Sequence, residues 1–233
     1  MTMLQIKGLN TYYGESHILR DVDMNINQGE MICLIGRNGV GKTTLLKSLI
    51  GLLTPRRGEI IFNGDLVNRK PPHQRARSGI AYVPQGREIF SLLTVEENLQ
   101  TGFSVLKRND RKISKYIYDL FPVLRDMKGR RGGDLSGGQQ QQLAIARALV
   151  MKPKFLLLDE PTEGIQPSII KQIGEVIRYL ATNEKIGILL VEQYFDFARK
   201  LSDQYYILNK GKIVLSGKGK EMNKKKVQSY LTV

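Results

Sequence analysis

Cysteine and histidine are scarce in this chain, and tryptophan is absent. Cys33 is the only cysteine among 233 residues, so no disulfide can form within the chain. It lies in an apolar run, and we expect a buried, unreactive thiol in a reducing compartment. His17 and His73 have no second histidine or cysteine at ligand spacing. A metal ion would therefore be held by oxygen ligands, the preference of Mg²⁺.

Long hydrophobic runs are also missing. The longest, residues 155–158 and 186–191, are far shorter than the ~20 residues that cross a bilayer. The first eight residues lack the charged start and apolar run of a signal peptide. We therefore expect a chain that is not itself integral to a membrane. A hydrophobic fraction of 41% and a charged fraction of 25% favour one well-buried α/β domain.

Acidic residues are outnumbered: 22 Asp and Glu stand against 36 Lys and Arg, a net charge of +14. This charge favours an anionic partner, which can be a nucleotide, a nucleic acid or acidic lipid, and it does not choose among them. Aromatic residues make up only 7% of the chain, so a platform for stacking nucleic-acid bases is not evident.

A glycine-rich stretch gives the first chemical signal. Residues 36–43 fit the phosphate-binding pattern G-x-x-x-x-G-K-[ST], after an apolar run typical of a buried strand and before a helical pattern. Glycines let backbone N–H groups curl around phosphate oxygens, and the helix N-terminus adds partial positive charge. A turn that binds nothing is the alternative. The predicted nucleotide-binding residues are Gly36, Arg37, Asn38, Gly39, Val40, Gly41, Lys42, Thr43 and Thr44.

Two of these residues have predicted individual roles. Lys42 would reach the terminal phosphates of the nucleotide, and the Thr43 hydroxyl would coordinate Mg²⁺.

A second glycine pair opens a predicted long helix that runs to Val150. Ser136 and Gln139 have the spacing of a capping box, so a well-capped helix is one interpretation. However, Gly137 and Gly138 each cost ~1 kcal/mol in a helix relative to alanine. The pair therefore favours a second phosphate-binding helix end with exposed N–H groups. One chain cannot easily direct both helix ends at one phosphate, so we expect this end to serve a second molecule.

Two acids end an apolar run. Asp159 and Glu160 follow residues 155–158, at the strand end where open α/β sheets bind ligands. Asp159 is predicted to hold the Mg²⁺ shell, and Glu160 to act as general base on the attacking water. Acids that merely cap the following segment are the alternative.

The order of patterns predicts the fold. Strand patterns at 3–9 and 18–26 and an Asn63-Gly64 turn indicate an antiparallel N-terminal part. Buried runs that alternate with helical patterns indicate a mostly parallel core sheet, with a hairpin over 205–215 at its edge. A helical pattern from about residue 88 to 150 indicates an inserted helical subdomain. We expect one domain over residues 1–233.

The three motifs resemble those of the ATP-binding-cassette (ABC) ATPases, in the same order and at similar intervals over nearly the whole chain. Walker A matches residues 36–43, the signature matches 135–139, and Walker B matches 155–160. The resemblance implies an ABC-type P-loop NTPase fold that binds and hydrolyses ATP with Mg²⁺. It also implies a dimer in which each signature helix closes over the ATP of the other subunit.

The resemblance assigns further roles. Tyr13 matches the aromatic residue that stacks on adenine, and Gln85 matches the glutamine that senses Mg²⁺ and the attacking water. Residues 86–99 match the surface that faces a transmembrane partner. The switch position is usually histidine, but here Gln193 can hydrogen-bond the γ-phosphate and cannot titrate near neutral pH. The loop after Walker B usually ends with aspartate, and here it ends with Gln166.

Both departures resemble the branched-chain amino-acid importer branch, and residues 83–90 and 162–167 most resemble the urea-importer ATPase. The implied protein is an ATPase subunit on the cytoplasmic, inner face of the plasma membrane that drives import of urea or a related small amide or amino acid. Its implied partners are transmembrane permease subunits, a second ATPase subunit and, indirectly, a solute-binding protein.

Two other functions are alternatives for this sequence. A soluble ABC ATPase acting on nucleic acid or ribosomes would suit the net charge, but such proteins typically carry two cassettes or long inserted arms, so no nucleic-acid partner is expected. A purely regulatory ATP-binding module would not need an intact Lys42, Asp159 and Glu160.

Overall fold

Two sheets, nine α-helices and four short 3₁₀ helices build the part of the chain that the computed structural model describes, which is residues 1–231, with the side chains of 1–230. Residues 232–233 of the expected domain lie outside it. The strands are β1 (Thr2–Tyr13), β2 (Ser16–Asn27), β3 (Met31–Ile35), β4 (Arg57–Phe62), β5 (Asp65–Leu66), β6 (Ile80–Val83), β7 (Phe155–Asp159), β8 (Gly187–Glu192), β9 (Gln204–Asn209) and β10 (Lys212–Lys218). The helices are α1 (Lys42–Ile50), α2 (Pro72–Ser78), α3 (Val95–Gln100), α4 (Lys115–Leu120), α5 (Pro122–Asp126), α6 (Gly137–Val150), α7 (Pro167–Thr182), α8 (Phe195–Leu201) and α9 (Lys224–Leu231).

The N-terminal sheet is antiparallel, as predicted, with strand order β2-β1-β4-β5. The Asn63-Gly64 turn joins β4 to β5, and both turn residues have positive φ, 50° and 85°, as a tight hairpin turn requires. The first hairpin is longer than predicted, because Tyr12 and Tyr13 continue β1 instead of forming a loop. The Tyr12 ring stacks on the cross-strand His17 ring at 4.1 Å between centroids, a pairing that extends the ladder to the turn.

The core sheet has the order β10-β9-β3-β8-β7-β6. Its five strands from β9 to β6 are parallel, and β10 pairs antiparallel with β9 at the edge, as predicted. Side chains of β3 alternate between two hydrophobic clusters. Met31, Cys33 and Ile35 pack on the side of α6 and α7, whereas Ile32 and Leu34 pack on the side of α1 and the antiparallel sheet. Both faces are therefore covered, and Cys33 is fully buried.

The segment between β6 and β7 is helical, and no strand is assigned to these residues, all of which the structure describes. A capping box at Thr94 opens α3, and the capping box predicted at Ser136 opens α6. Helix α4 begins at Lys115, and Pro122 opens a separate helix because proline is tolerated at a first helical turn. The limits of a helical subdomain at about 88–150 stay a prediction. Among the described helices, none has the length and apolarity that a membrane span requires.

A buried arginine fixes the helix that follows the P-loop. Arg75 on α2 is 1% exposed, and its guanidinium donates to Ser48 O at 2.6 Å and Leu49 O at 2.9 Å, at the end of α1. It also donates to the carbonyl oxygens of Asn68 and Lys70 at 2.9 and 2.8 Å. Because the last carbonyls of a helix lack partners and carry partial negative charge, this cation satisfies the end of α1.

We expect Arg75→Ala to lower the free energy of unfolding by about 3 kcal/mol, because it leaves buried carbonyl oxygens unpaired and opens a cavity. Chemical denaturation measures the change. Arg77→Ala on the exposed side of the same helix is the control and should change stability by less than about 0.5 kcal/mol. Equal effects of the two substitutions would contradict the capping role.

Candidate nucleotide-binding site

The P-loop connects β3 to α1 in a backbone that needs glycine at two positions. Gly41 precedes α1 with φ 112°, a left-handed conformation that side chains disfavour. At Gly36, an added Cβ would lie 2.6 Å from the carbonyl oxygen of Leu208 on β9. The P-loop therefore packs closely against β9 of the core sheet at Gly36 and turns sharply into α1 at Gly41.

Lys42 turns back into this loop. Its side chain is 5% exposed, and Nζ donates to Gly36 O at 2.8 Å and Arg37 O at 3.1 Å. Nζ also lies 3.4 Å from Asn38 Oδ1 and 3.2 Å from Glu160 Oε1. A phosphate would offer this ammonium charged acceptors stronger than the neutral carbonyls. The cation therefore lies at the centre of the loop, and its contact with the terminal phosphates stays a prediction.

Asp159 has an unsatisfied oxygen that fits a cation. The residue is 2% exposed; Oδ2 accepts a hydrogen bond from the Tyr82 hydroxyl at 3.2 Å, and the buried Oδ1 has no hydrogen-bond partner. Burial raises the pKa of Asp159, and the negative charge of nearby Glu160 raises it further. The Tyr82 hydroxyl, Lys42 and Thr43 act in the opposite direction and lower the pKa of Asp159. Because buried polar atoms are rarely left unpaired, the free oxygen fits a ligand for Mg²⁺.

The donor set fits Mg²⁺ better than a metal enclosed by protein. No group of three or more His, Cys, Asp or Glu that could hold a metal exists among residues 1–231. Mg²⁺ usually takes one or two protein oxygens and completes its shell with water and phosphate. Thr43 is exposed beside Asp159 and can supply a second oxygen.

Glu160 contacts three other segments of the site, which carry Lys42, Gln85 and Gln193. Its Oε1 accepts from Gln193 Nε2 at 2.8 Å and pairs with Lys42, and its Oε2 accepts from Gln85 Nε2 at 3.3 Å. Gln193 Nε2 also donates to Asn38 Oδ1 at 2.8 Å. The backbone of Glu160 has φ +48°, a strained conformation for a residue with a side chain. The structure thus brings together the predicted base, the predicted switch residue and the P-loop.

A cavity of about 340 Å³ lies in front of these groups. Ile18 was not predicted to line it, because in the sequence it reads as an ordinary strand residue. Tyr13 does not line it; this residue is 45% exposed at the end of β1, and its adenine-stacking role stays a prediction. The cavity is lined by Ile18, Asn38, Gly39, Gly41, Lys42, Thr43, Thr44, Gln85 and Glu160.

The signature segment does not share this cavity. Ser136 and Gln139 line a separate groove that is completed by residues of α4, α5 and α7. The described chain therefore keeps the two predicted phosphate-binding helix ends apart, as expected for motifs that act on different molecules. Their role toward a nucleotide stays a prediction.

Gly137 and Gly138 do not have the open surroundings that the sequence predicts for them. The expectation was a helix end left free for a ligand. In the structure an added Cβ at Gly138 would lie 3.0 Å from Ile169 Cγ2, and one at Gly137 would lie 3.0 Å from Arg87 Nη1. Both glycines make room for side chains of the same chain, so their presence alone does not require a ligand.

Glu192 is a site residue that the sequence analysis missed. It ends β8, is 2% exposed, and accepts from Thr162 N at 3.2 Å and Thr162 Oγ1 at 2.8 Å. Its other oxygen accepts from Gln193 N at 3.1 Å and Tyr194 N at 3.3 Å. Burial raises its pKa, and these hydrogen bonds oppose the rise. The signal was present: an acid ends an apolar strand here, as Asp159 does.

Comparison with known proteins gives consistent results. The family described as "ABC transporter" matches residues 19–163. The high-affinity branched-chain amino acid transport ATP-binding protein BraG of Pseudomonas aeruginosa is 43% identical, with 98% of this chain and 99% of the relative covered. The probable branched-chain amino acid transport ATP-binding protein LivF of Archaeoglobus fulgidus is 42% identical, with 94% of each covered.

A solved structure has the same fold. It is the dimeric post-hydrolysis state of an ATP-binding cassette bound to ADP and Pi, with a TM-score of 0.84 and 26% identity. The match covers 94% of this chain and 100% of that one.

The contact between residue 193 and Glu160 predicts a pH effect. In Gln193→His, the carboxylate of Glu160 should raise the histidine pKa above its usual ~6.5, and the imidazolium that forms at lower pH should weaken Glu160 as a base. We expect ATP hydrolysis by this variant to fall, relative to the unmodified protein, as pH drops through that pKa. Rate profiles from pH 5.5 to 8.5 measure it, with Gln193→Asn as the non-titrating control. Superimposable profiles would show that residue 193 does not contact Glu160 during turnover.

Proposed function

This chain belongs to the ABC transporter family, and from that membership we propose that it is the ATP-hydrolysing subunit of an importer for a small amino acid or amide. The observation that carries the ATPase assignment is the contact of Glu160 with Lys42 and Gln193 beside the P-loop cavity. A general base, a phosphate-binding cation and a polar switch residue meet there, as phosphoryl transfer to water requires.

The residues divide the work of hydrolysis. The P-loop and Lys42 bind the phosphates. Thr43, Asp159 and Gln85 would offer oxygens to Mg²⁺, which would neutralise phosphate charge. The Gln85 amide oxygen makes no hydrogen bond to a described residue, since only its Nε2 is engaged. When phosphate replaces Glu160 as the partner of Lys42, the carboxylate is free to accept a proton from water. The water oxygen then attacks the γ-phosphorus, and ADP and phosphate are the products.

The proposed assembly is a pair of cassettes on a membrane permease. The separation of the signature groove from the P-loop cavity supports a mechanism in which Ser136, Gly137, Gly138 and Gln139 act on the nucleotide of a second ATPase subunit. The structural relative that is dimeric in the presence of ADP and Pi supports the same arrangement. Residues 86–99 face the permease on the inner side of the membrane in this proposal.

Two solute classes have support. Branched-chain amino acids are favoured because the BraG and LivF relatives, 43% and 42% identical, are named for their transport. Urea or a related amide is the second candidate, since residues 83–90 and 162–167 resemble the urea-importer ATPase. No residue of a cytoplasmic ATPase is expected to contact the solute, so the choice depends on the permease.

We expect Glu160→Gln to bind MgATP with nearly unchanged affinity but to lose at least about 100-fold in turnover, because it removes the base and leaves the phosphate cradle intact. Equilibrium nucleotide binding and phosphate release measure the two effects. Glu59→Gln, an exposed acid on β4, removes the same charge and should retain activity. Hydrolysis by Glu160→Gln at the unmodified rate would contradict the assignment of the base.

A membrane assay tests the solute. We expect the chain, purified with its permease in vesicles and supplied with the solute-binding protein, to hydrolyse ATP faster when leucine, isoleucine or valine is added. Urea and acetamide added separately test the second candidate. Stimulation by urea alone would favour the second candidate over the first, and a permease that responds to neither class would contradict the proposed substrate range.

A further inference from the structure

The loop that follows β6 has an unusual backbone. Gly86, Arg87 and Glu88 have φ values of 77°, 71° and 45°, three successive residues in a region that side chains disfavour. Main-chain hydrogen bonds turn the loop on itself, from Arg87 N to Pro84 O at 3.2 Å and from Glu88 N to Gly86 O at 2.8 Å. This conformation directs the Arg87 side chain back toward the protein, where it is half-buried.

The Arg87 guanidinium contacts two other segments. Nη1 donates to Gln140 Oε1 at 3.4 Å, in the first turns of α6. Nη2 donates to the carbonyl oxygen of Glu163 at 3.4 Å, in the loop after Walker B. The same group lies beside Gly137, where an added Cβ would come within 3.0 Å of Nη1. One planar side chain therefore joins the loop after Gln85, the signature turn and the loop after Glu160.

A second attachment holds the same loop to the same helix. Arg147, near the end of α6, donates from Nη2 to the main-chain oxygen of Arg87 at 3.3 Å. Its guanidinium also lies over the Phe90 ring, 5.4 Å from the centroid, which is a favourable cation–π distance. The loop is thus fastened to α6 near both ends of the helix, so the two are expected to move together.

Charge does not explain where the Arg87 side chain lies. The N-terminus of a helix carries partial positive charge and favours anions, so a cation beside the first turn of α6 gains nothing from the helix dipole. The position depends instead on the two acceptor oxygens and on the space at Gly137. A guanidinium suits this arrangement because its fork donates in two directions at once, which an ammonium on a flexible stem does not.

We propose that Arg87 is a positioning residue that links the loop at 84–90 to the signature turn at 136–139 and to the loop after Glu160. The inference rests on the proposed function, in which that loop faces the permease. A displacement of the loop by the permease would shift the signature turn and the segment carrying Glu160 together. Arg87 touches neither nucleotide nor water in this proposal; it sets where the groups that do so are held.

The test compares Arg87→Gln, Arg87→Lys and the control Arg108→Gln in the full chain. Arg108 is exposed, and its side chain makes no hydrogen bond or ion pair among the described residues. We expect Arg87→Gln to lower kcat for ATP at least about 10-fold, because the charged donor of two hydrogen bonds is lost. KM should stay within about twofold, because the P-loop is untouched. Arg87→Lys keeps the charge but not the fork, and should lose most of the same activity.

A double-mutant cycle with Gln140→Met adds a readout that a merely structural role would not give. Because Gln140 accepts from Arg87, the two substitutions should be strongly non-additive in kcat. Should Arg87→Gln fail to fold, Gln140→Met alone is expected to reduce kcat with KM unchanged.

Three results would overturn the proposal: an Arg87→Gln protein as active as Arg108→Gln, full activity in Arg87→Lys, or additive effects in the cycle. Failure of the proposed function gives a different result. In that case the unmodified chain would neither bind nor hydrolyse MgATP, whatever residue stands at position 87.

Discussion

The site depends on one buried cation, the ammonium of Lys42. A charge this far from water requires compensation. The P-loop supplies carbonyl oxygens at 2.8 and 3.1 Å, and the segment after β7 supplies the Glu160 carboxylate at 3.2 Å. The same bonds tie the predicted base to the predicted phosphate-binding residue. Gln193 donates hydrogen bonds to both Glu160 and Asn38. If a phosphate replaced Glu160 as the partner of Lys42, the contacts of both Glu160 and Gln193 would therefore change.

The parallel sheet explains why these residues meet. In the sequence, more than 100 residues separate the P-loop from Asp159, and about 30 separate Asp159 from Gln193. The strands that precede them, β3, β7 and β8, are nevertheless neighbouring parallel strands in the order β3-β8-β7. Their carboxyl ends lie at one edge, where loops can place side chains against a ligand. Register then fixes the details: Ile35 lies opposite Glu192, and Asp159 lies opposite Val191. Glu160 continues this ladder through its N–H to Val191 O.

Buried and half-buried polar side chains hold the surrounding loops in place. Arg75 satisfies the end of α1, Glu192 accepts four hydrogen bonds that join Thr162 to the loop of Gln193, and Arg87 joins the loop after β6 to α6. Each contacts at least one segment that is distant in sequence. Since a buried polar group that loses its partner is destabilising, such residues define one arrangement of the loops, and the loops carry the chemistry.

The sequence by itself determined the features that depend on local chemistry. These features were predictable because each depends on neighbouring residues or on a short repeat of apolar residues. They are the glycines and Lys42 of the P-loop, the capping boxes at Thr94 and Ser136, the Asn63-Gly64 turn and the apolar strands. Tertiary structure alone decided the rest. Sheet order brings together the partners of the following contacts. They are the side chains that fill the space beside Gly137 and Gly138, and the hydrogen bonds that Arg75, Glu192 and Arg87 make to distant segments. No local pattern records those partners, because a hydrogen bond between distant segments leaves no periodicity in the sequence.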